Sequence, residues 1–307
     1  MSSIPDEVRD DSLVAKLLEW AKARPSIRAM LLTSTRAYPN TVVDALSDYD
    51  VILVVPDIQP YFQDRSWLAD FGDVLATYWD PIHQSPETGV EIFGNVVQYE
   101  SGLKIDFTLW PIKQARKVAE QEYLPAGLDV GYVILLDKDR LTDRFRPPTH
   151  TAYIPKSPTK AEFDKVVEDF YSDAPYVAKC LLRDELMPAK WCLDYDMKHI
   201  YLRRMLEWRM ELDYEWSVSV GRLGKGLKKR LPETIWAALE ATYVGAGLEE
   251  NWEALFATLK LFREVGEQVA VGLGYEFPTE LDRKVRVFLQ EYRTKGTALL
   301  GGSTRLG

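Results

Sequence analysis

A chain of 307 residues that is 46% hydrophobic carries enough apolar mass for two packed domains or one large one. Its formal net charge of −9 argues against a nucleic-acid partner, which calls for a basic stripe, and favours a cationic small molecule. No run approaches the roughly 18 continuous apolar residues of a membrane span, and the polar, acidic start differs from a secretory signal. Only Cys180 and Cys192 occur, both in apparent helices, so the reading is a cytoplasmic protein with reduced, packed thiols. A disulfide between them is the alternative. His83, His150 and His199 form no cluster with metal-ligand spacing.

The chain opens on an amphipathic helix with Leu13, Leu17, Leu18 and Ala21 on one face. A short apolar strand follows at 27–32 and runs into Thr33-Ser34-Thr35-Arg36. Hydroxyl residues after a strand offer backbone N–H groups and side-chain donors to a phosphate, and Arg36 adds a charge suited to phosphate oxygens. The same residues are also ordinary helix caps. Next come Asp48 and Asp50, two apart, leading into Val51-Ile52-Leu53-Val54-Val55. In an extended segment both carboxylates project to the same side. Two anions held that close repel, and a Mg²⁺ ion between them relieves the repulsion. On spacing alone the pair reads equally well as a turn cap and a solvated acid.

Strands are expected at 74–79 and 90–99, then at 103–110, where the pattern alternates strictly. Leu103, Ile105, Phe107 and Leu109 form the apolar face, and Lys104, Asp106 and Thr108 the other. If this strand lies beside the one entered by Asp50, three carboxylates converge, and Asp106 could complete a metal site or take a proton from an attacking hydroxyl. The alternative is a solvated face on which Lys104 and Asp106 are ordinary surface charges. A helix at 111–122 and a short strand at 132–136 close this half. The proline-rich stretch 146–158 breaks both patterns and marks a boundary.

Helical patterns follow at 159–171, 176–186, 189–212, 232–243, 251–273 and 279–293, which reads as an all-α helical bundle. The expected organisation is an α/β domain at 1–155, a helical domain at 156–293 and a flexible tail at 294–307. Lys179 and Arg183, four apart, share a helix face, and their bland reading is a pair of surface charges beside Asp184 and Glu185. Aromatics and acids are interleaved from Trp191 to Trp216. Aromatic faces beside carboxylates suit a sugar carrying cationic groups, although any one of these aromatics reads more simply as core.

Taken together, the strand, the hydroxyl loop, Asp48-x-Asp50 and the later Asp106 resemble the nucleotidyltransferase superfold. More narrowly, the chain is similar to the aminoglycoside 6-adenylyltransferase (streptomycin adenylyltransferase) family. The matching blocks include Ser47-Asp48-Tyr49-Asp50-Val51, Val55-Pro56-Asp57-Ile58, Ser66-Trp67-Leu68-Ala69-Asp70-Phe71-Gly72 and Lys104-Ile105-Asp106-Phe107-Thr108-Leu109. In the second half they include the 176–186 segment, Met205-Leu206-Glu207-Trp208, Trp216-Ser217-Val218-Ser219-Val220-Gly221 with Gly224-Lys225, and Leu261-Phe262-Arg263-Glu264. The resemblance spans roughly 10–293. It implies a mixed sheet flanked by helices for the nucleotidyltransferase domain, and a helical domain that binds the acceptor.

It further implies adenylyl transfer from ATP to a hydroxyl of an aminoglycoside, streptomycin first, with release of pyrophosphate. Asp48, Asp50 and Asp106 are then catalytic residues and the metal ligands for Mg²⁺. Ser34, Thr35, Arg36, Lys179, Arg183 and Lys225 are the expected nucleotide-binding residues. One departure stands out. Where the family has Gly-Ser-Arg, this chain has Ser34-Thr35-Arg36, so a Cβ sits where glycine permits close approach or positive φ. Two rival readings remain at this point: a nucleotidyltransferase with another small acceptor, and a non-catalytic ligand-binding protein of the same fold. No nucleic-acid or membrane partner is expected.

Overall fold

The computed structural model describes Val8 and residues 10–38 and 43–300, and side chains through residue 296. The chain divides into two compact units, Met1–Ala152 and Tyr153–Gly307.

The first unit is built on a mixed sheet. Its strands are β1 (Ala29–Thr33), β2 (Tyr49–Val55), β3 (Val74–Trp79), β4 (His83–Gln84), β5 (Glu91–Tyr99), β6 (Lys104–Pro111) and β7 (Tyr132–Asp137). The order across the sheet is β3-β5-β6-β2-β1-β7, with β4 paired to β5. β2 runs parallel to β6, and the β1–β2, β1–β7, β3–β5 and β5–β6 pairs are antiparallel. The alternating burial of β6 follows its sequence: Ile105, Phe107 and Leu109 are buried, while Lys104, Asp106 and Thr108 are half-buried. One face of the sheet packs Val51, Leu53, Ile105 and Phe107 against Leu17 and Trp20 of α1 (Ser12–Lys22). The other face packs Leu31, Ile52, Val54 and Trp110 against Ala115 and Val118 of α2 (Ile112–Glu120). By the two-residue period, Asp50 and Asp106 belong to this second face.

The described residues of the second unit contain helices and turns and no strand. The two helices expected at 159–171 and 176–186 are one, α3 (Lys160–Leu182), with Pro175 inside it. An interior proline costs about 3 kcal/mol of helix stability. Here Phe170, Tyr171, Ala174, Val177 and Ala178 are all buried, and Phe170 stacks on Phe262 at 3.6 Å between ring centroids. Burying side chains on both sides of Pro175 outweighs the lost hydrogen bond. Trp191–Leu202 is π-helical and leads without a break into α4 (Arg203–Tyr214). Its buried residues Cys192, Leu193, Met197, Lys198 and Leu202 include two series five apart, 192/197/202 and 193/198, which suits the wider i→i+5 turn. After α5 (Leu248–Leu273), the last helix, α6 (Thr279–Leu300), runs past the expected tail boundary. Residues 294–300 are therefore helical, and 301–307 lie outside the described residues. No helix among the described residues is long and apolar enough to cross a membrane.

Candidate active site

Asp50 and Asp106 come together because β2 and β6 are adjacent and in register, with Asp50 opposite Asp106. Asp48 lies two residues before Asp50, just ahead of the strand. On the other side of β2, the C-terminal end of β1 places Thr33 opposite Asp50. The turn Ser34–Ala37 therefore leaves the sheet at the edge where the three acids gather.

Lys104 was legible in the sequence only as a surface charge. Its ammonium donates to Asp48 Oδ2 at 2.6 Å and to Asp106 Oδ2 at 2.9 Å. Burial works against that ammonium, yet the two carboxylates raise its pKa. Burial is also the main reason that Asp106 titrates above the ordinary carboxylate range. Asp50 is pushed up to about 6, first by burial and then by the neighbouring Asp106 charge. The Ser34 hydroxyl and Lys104 oppose that rise.

Ser34 lies in the left-handed region with φ of 63°. The serine in place of the family glycine thus keeps a glycine-like backbone and turns its hydroxyl to Asp50. Thr35 is half-buried on the same turn. Arg36 is spoken for. Its guanidinium donates to the carbonyls of Ser47 (2.9 Å) and Asp48 (3.2 Å) and to Asp11 Oδ2 (3.1 Å), and it lies 3.6 Å over the Tyr49 ring. Asp11 accepts from the Tyr49 hydroxyl through that same oxygen and caps α1 with the other. These contacts brace the loop that carries Asp48.

The donor set suits a hard divalent cation. All three side chains are carboxylates, Asp50 and Asp106 repel each other, and Asp106 Oδ1 is buried with no hydrogen-bond partner. Lys104 bonds Asp48 and Asp106, and acts on Asp50 only as a neighbouring charge. Among the described residues, the only His, Cys, Asp or Glu trio with ligand atoms all within 4.8 Å of one another is Asp173, Cys192 and Asp196. In that trio burial pushes the Cys192 thiol up to about 12, which keeps it protonated.

The remaining expected nucleotide ligands belong to the second unit. Lys179 is exposed in the last turn of α3, Arg183 is exposed at its C-cap, and Lys225 is exposed after a tight turn at Arg222–Gly224. Among the interleaved aromatics and acids, Trp208 is core, while Trp191 and Tyr195 are exposed with ring centroids 5.0 Å apart. Several acids are already engaged: Asp194 with Lys190 and Lys198, Glu207 with Arg203, and Asp213 with Arg209. Cys180 and Cys192 are free and buried, as packing residues should be. His83 and His150 hydrogen-bond the carbonyls of Pro81 and Val130, and His199 stacks on Tyr195.

Asp50 and Asp106 stand opposite each other on two parallel strands beside a hydroxyl turn, and the ligand atoms of the three acids do not all lie within 4.8 Å of one another. Comparison with known proteins supplies the family. A family model described as streptomycin adenylyltransferase matches residues 9–292, and the chain belongs to that family. An aminoglycoside 6-adenylyltransferase of Bacillus subtilis is 31% identical over 265 residues, covering 85% of this chain and 90% of its own. One from Campylobacter jejuni is 30% identical over 288 residues, covering 91% and 94%. A crystal structure of an aminoglycoside 6-adenyltransferase from Bacillus subtilis aligns over 90% of this chain and 95% of its own, with 26% identity and a TM-score of 0.41.

Proposed function

We propose that this protein is an aminoglycoside adenylyltransferase, which transfers AMP from ATP to a hydroxyl of the antibiotic and releases pyrophosphate. Family membership and the relatives' names support the aminoglycoside class, and streptomycin is the acceptor to test first. The observation that carries the chemistry is the register of β2 and β6, which sets Asp50 against Asp106 with Asp48 alongside.

In this reading Asp48, Asp50 and Asp106 hold Mg²⁺, which neutralises phosphate charge when bound. The Ser34–Thr35 turn offers hydroxyl and backbone donors to phosphate oxygens. The acceptor oxygen attacks the α-phosphorus, and the bond from that phosphorus to the bridging oxygen of pyrophosphate breaks. Asp106, as ligand or as base, promotes loss of the hydroxyl proton, and its Oδ1 has no donor of its own to give up. Positioning and electrostatics carry most of the catalysis. The formal charge of −9 suits attraction of a polycationic acceptor.

The test is mass spectrometry of streptomycin after incubation with the protein, ATP and Mg²⁺, with one added AMP expected. Asp48→Asn and Asp106→Asn should abolish the product while circular dichroism shows both variants folded. Full activity in either variant defeats the scheme. The rival of a non-catalytic ligand-binding protein drew on Ser34, and the left-handed backbone kept there answers the part of that motive that concerned glycine's positive φ.

A further inference from the structure

Lys104 is not the solvated lysine its alternation suggests. Its side chain is only 29% exposed, and its ammonium bridges Asp48 and Asp106 at 2.6 and 2.9 Å. The bridge follows from the sheet. Lys104 and Asp106 are two apart on one face of β6, and the register that sets Tyr49 opposite Ile105 brings Lys104 across from Asp48. An ammonium carries positive charge and three donors, so it can join two carboxylates as a metal ion would. It does so incompletely. One positive charge faces three carboxylates, and Asp106 Oδ1 is left buried without a partner.

We infer that Lys104 is an internal stand-in cation, which holds Asp48 and Asp106 in the metal-free protein and must leave them before a divalent ion can bind all three acids. The inference rests on the proposed cation site. An ammonium and a divalent ion repel, and they compete for Asp48 Oδ2 and Asp106 Oδ2. A lysine on its flexible four-carbon stem can swing away as the ion enters, whereas a fixed charge could not. Lys104 is therefore a positioning residue. It keeps the acids from repelling one another apart while no metal is bound, and it lowers metal affinity in the absence of nucleotide. Two partly exposed ion pairs of this kind should hold that affinity down on the order of tenfold.

The experiment titrates Mn²⁺ into the full chain without nucleotide and follows loss of the free-ion EPR signal. Lys104→Met and Lys104→Gln should each bind Mn²⁺ on the order of tenfold more tightly than the natural protein, and Asp106→Asn more weakly. A general charge effect would give the same trend, so a second readout on the unaltered chain is needed. With lysines carbon-13 labelled at Cε, the Lys104 signal, assigned by its loss in Lys104→Gln, should move to the position of a free lysine as Mg²⁺ saturates. Equal or weaker Mn²⁺ binding in both Lys104 variants, or a Lys104 signal that Mg²⁺ leaves in place, overturns the inference while the metal site stands. If the natural protein retains no Mn²⁺ with or without ATP, the cation-site reading fails and takes this inference with it.

Discussion

Asp50 on β2 stands directly opposite Asp106 on β6 in a parallel pair, so two carboxylates share one face of the sheet on neighbouring strands. That placement costs stability. Burial, then the Asp106 charge, pushes Asp50 up to about 6, against roughly 3.9 in an unfolded chain. Between those values the folded protein holds more protons than the unfolded one, so stability falls as pH rises through the window. Above it the cost is complete. Asp50→Asn should therefore raise stability by about 1–3 kcal/mol near pH 7, and lose that advantage below about pH 4. Urea unfolding across this range checks it. A gain of the same size at the acid end would show that packing, and not charge, is responsible.

Ser34 combines a strained backbone with a useful hydroxyl. A residue with a Cβ in the left-handed region costs roughly 1–2 kcal/mol relative to glycine. Ser34→Ala keeps that cost and discards the hydroxyl, whereas Ser34→Gly discards both. The glycine variant should thus be more stable than the alanine variant by about 1 kcal/mol, measured by chemical denaturation. The backbone is already glycine-like, so the KM for ATP should change less than about threefold in Ser34→Gly. A large fall in KM would mean that the Cβ itself crowds the phosphates.

Arg36 distinguishes bracing from phosphate binding. With 13% of its side chain exposed, it spans two carbonyls, Asp11 and the Tyr49 ring. Lysine keeps the charge but cannot reproduce the planar fork. Arg36→Lys and Arg36→Ala should both lose about 2–3 kcal/mol in urea unfolding, with the lysine rescuing little. Unchanged stability in either variant, with only nucleotide binding weakened, would return Arg36 to the phosphate role.

Local periodicity made much of this visible in advance. The alternation of 103–110 set Asp106 and Lys104 on the polar face, and the apolar run after Asp50 marked a buried strand. Which strands pair is a non-local fact, so the adjacency of β2 and β6 could only be posed as a condition. Lys104 was missed because an i, i+2 lysine on a half-buried strand has the pattern of any solvated charge. Its partner Asp48 is distant in sequence. The bracing contacts of Arg36 were out of reach for the same reason, since Asp11 and the carbonyls of the Asp48 loop carry no signal in the motif itself. The break expected between 171 and 176 falls around Pro175, and burial of Phe170 and Val177 on either side carries the helix through it.

The π-helical segment holds a charge that has no access to water. Lys198 is buried, its ammonium donates to Asp194 Oδ1 at 2.7 Å and to the Thr242 carbonyl, and it lies 4.6 Å from the centre of the Tyr243 ring. Burial lowers its pKa, and Asp194 opposes that fall. Removing one partner of a buried pair strands the other, at about 3–5 kcal/mol, whereas replacing both with neutral groups can be close to harmless. Lys190 also reaches Asp194, at 2.6 Å, so the carboxylate serves two lysines. Asp194→Ala should accordingly destabilise the protein more than Lys198→Met does, and Lys198→Met combined with Asp194→Asn should recover most of the loss. Thermal melts of the three variants decide it. A double variant no more stable than Asp194→Ala would mean that the segment depends on the carboxylate for more than neutralising Lys198.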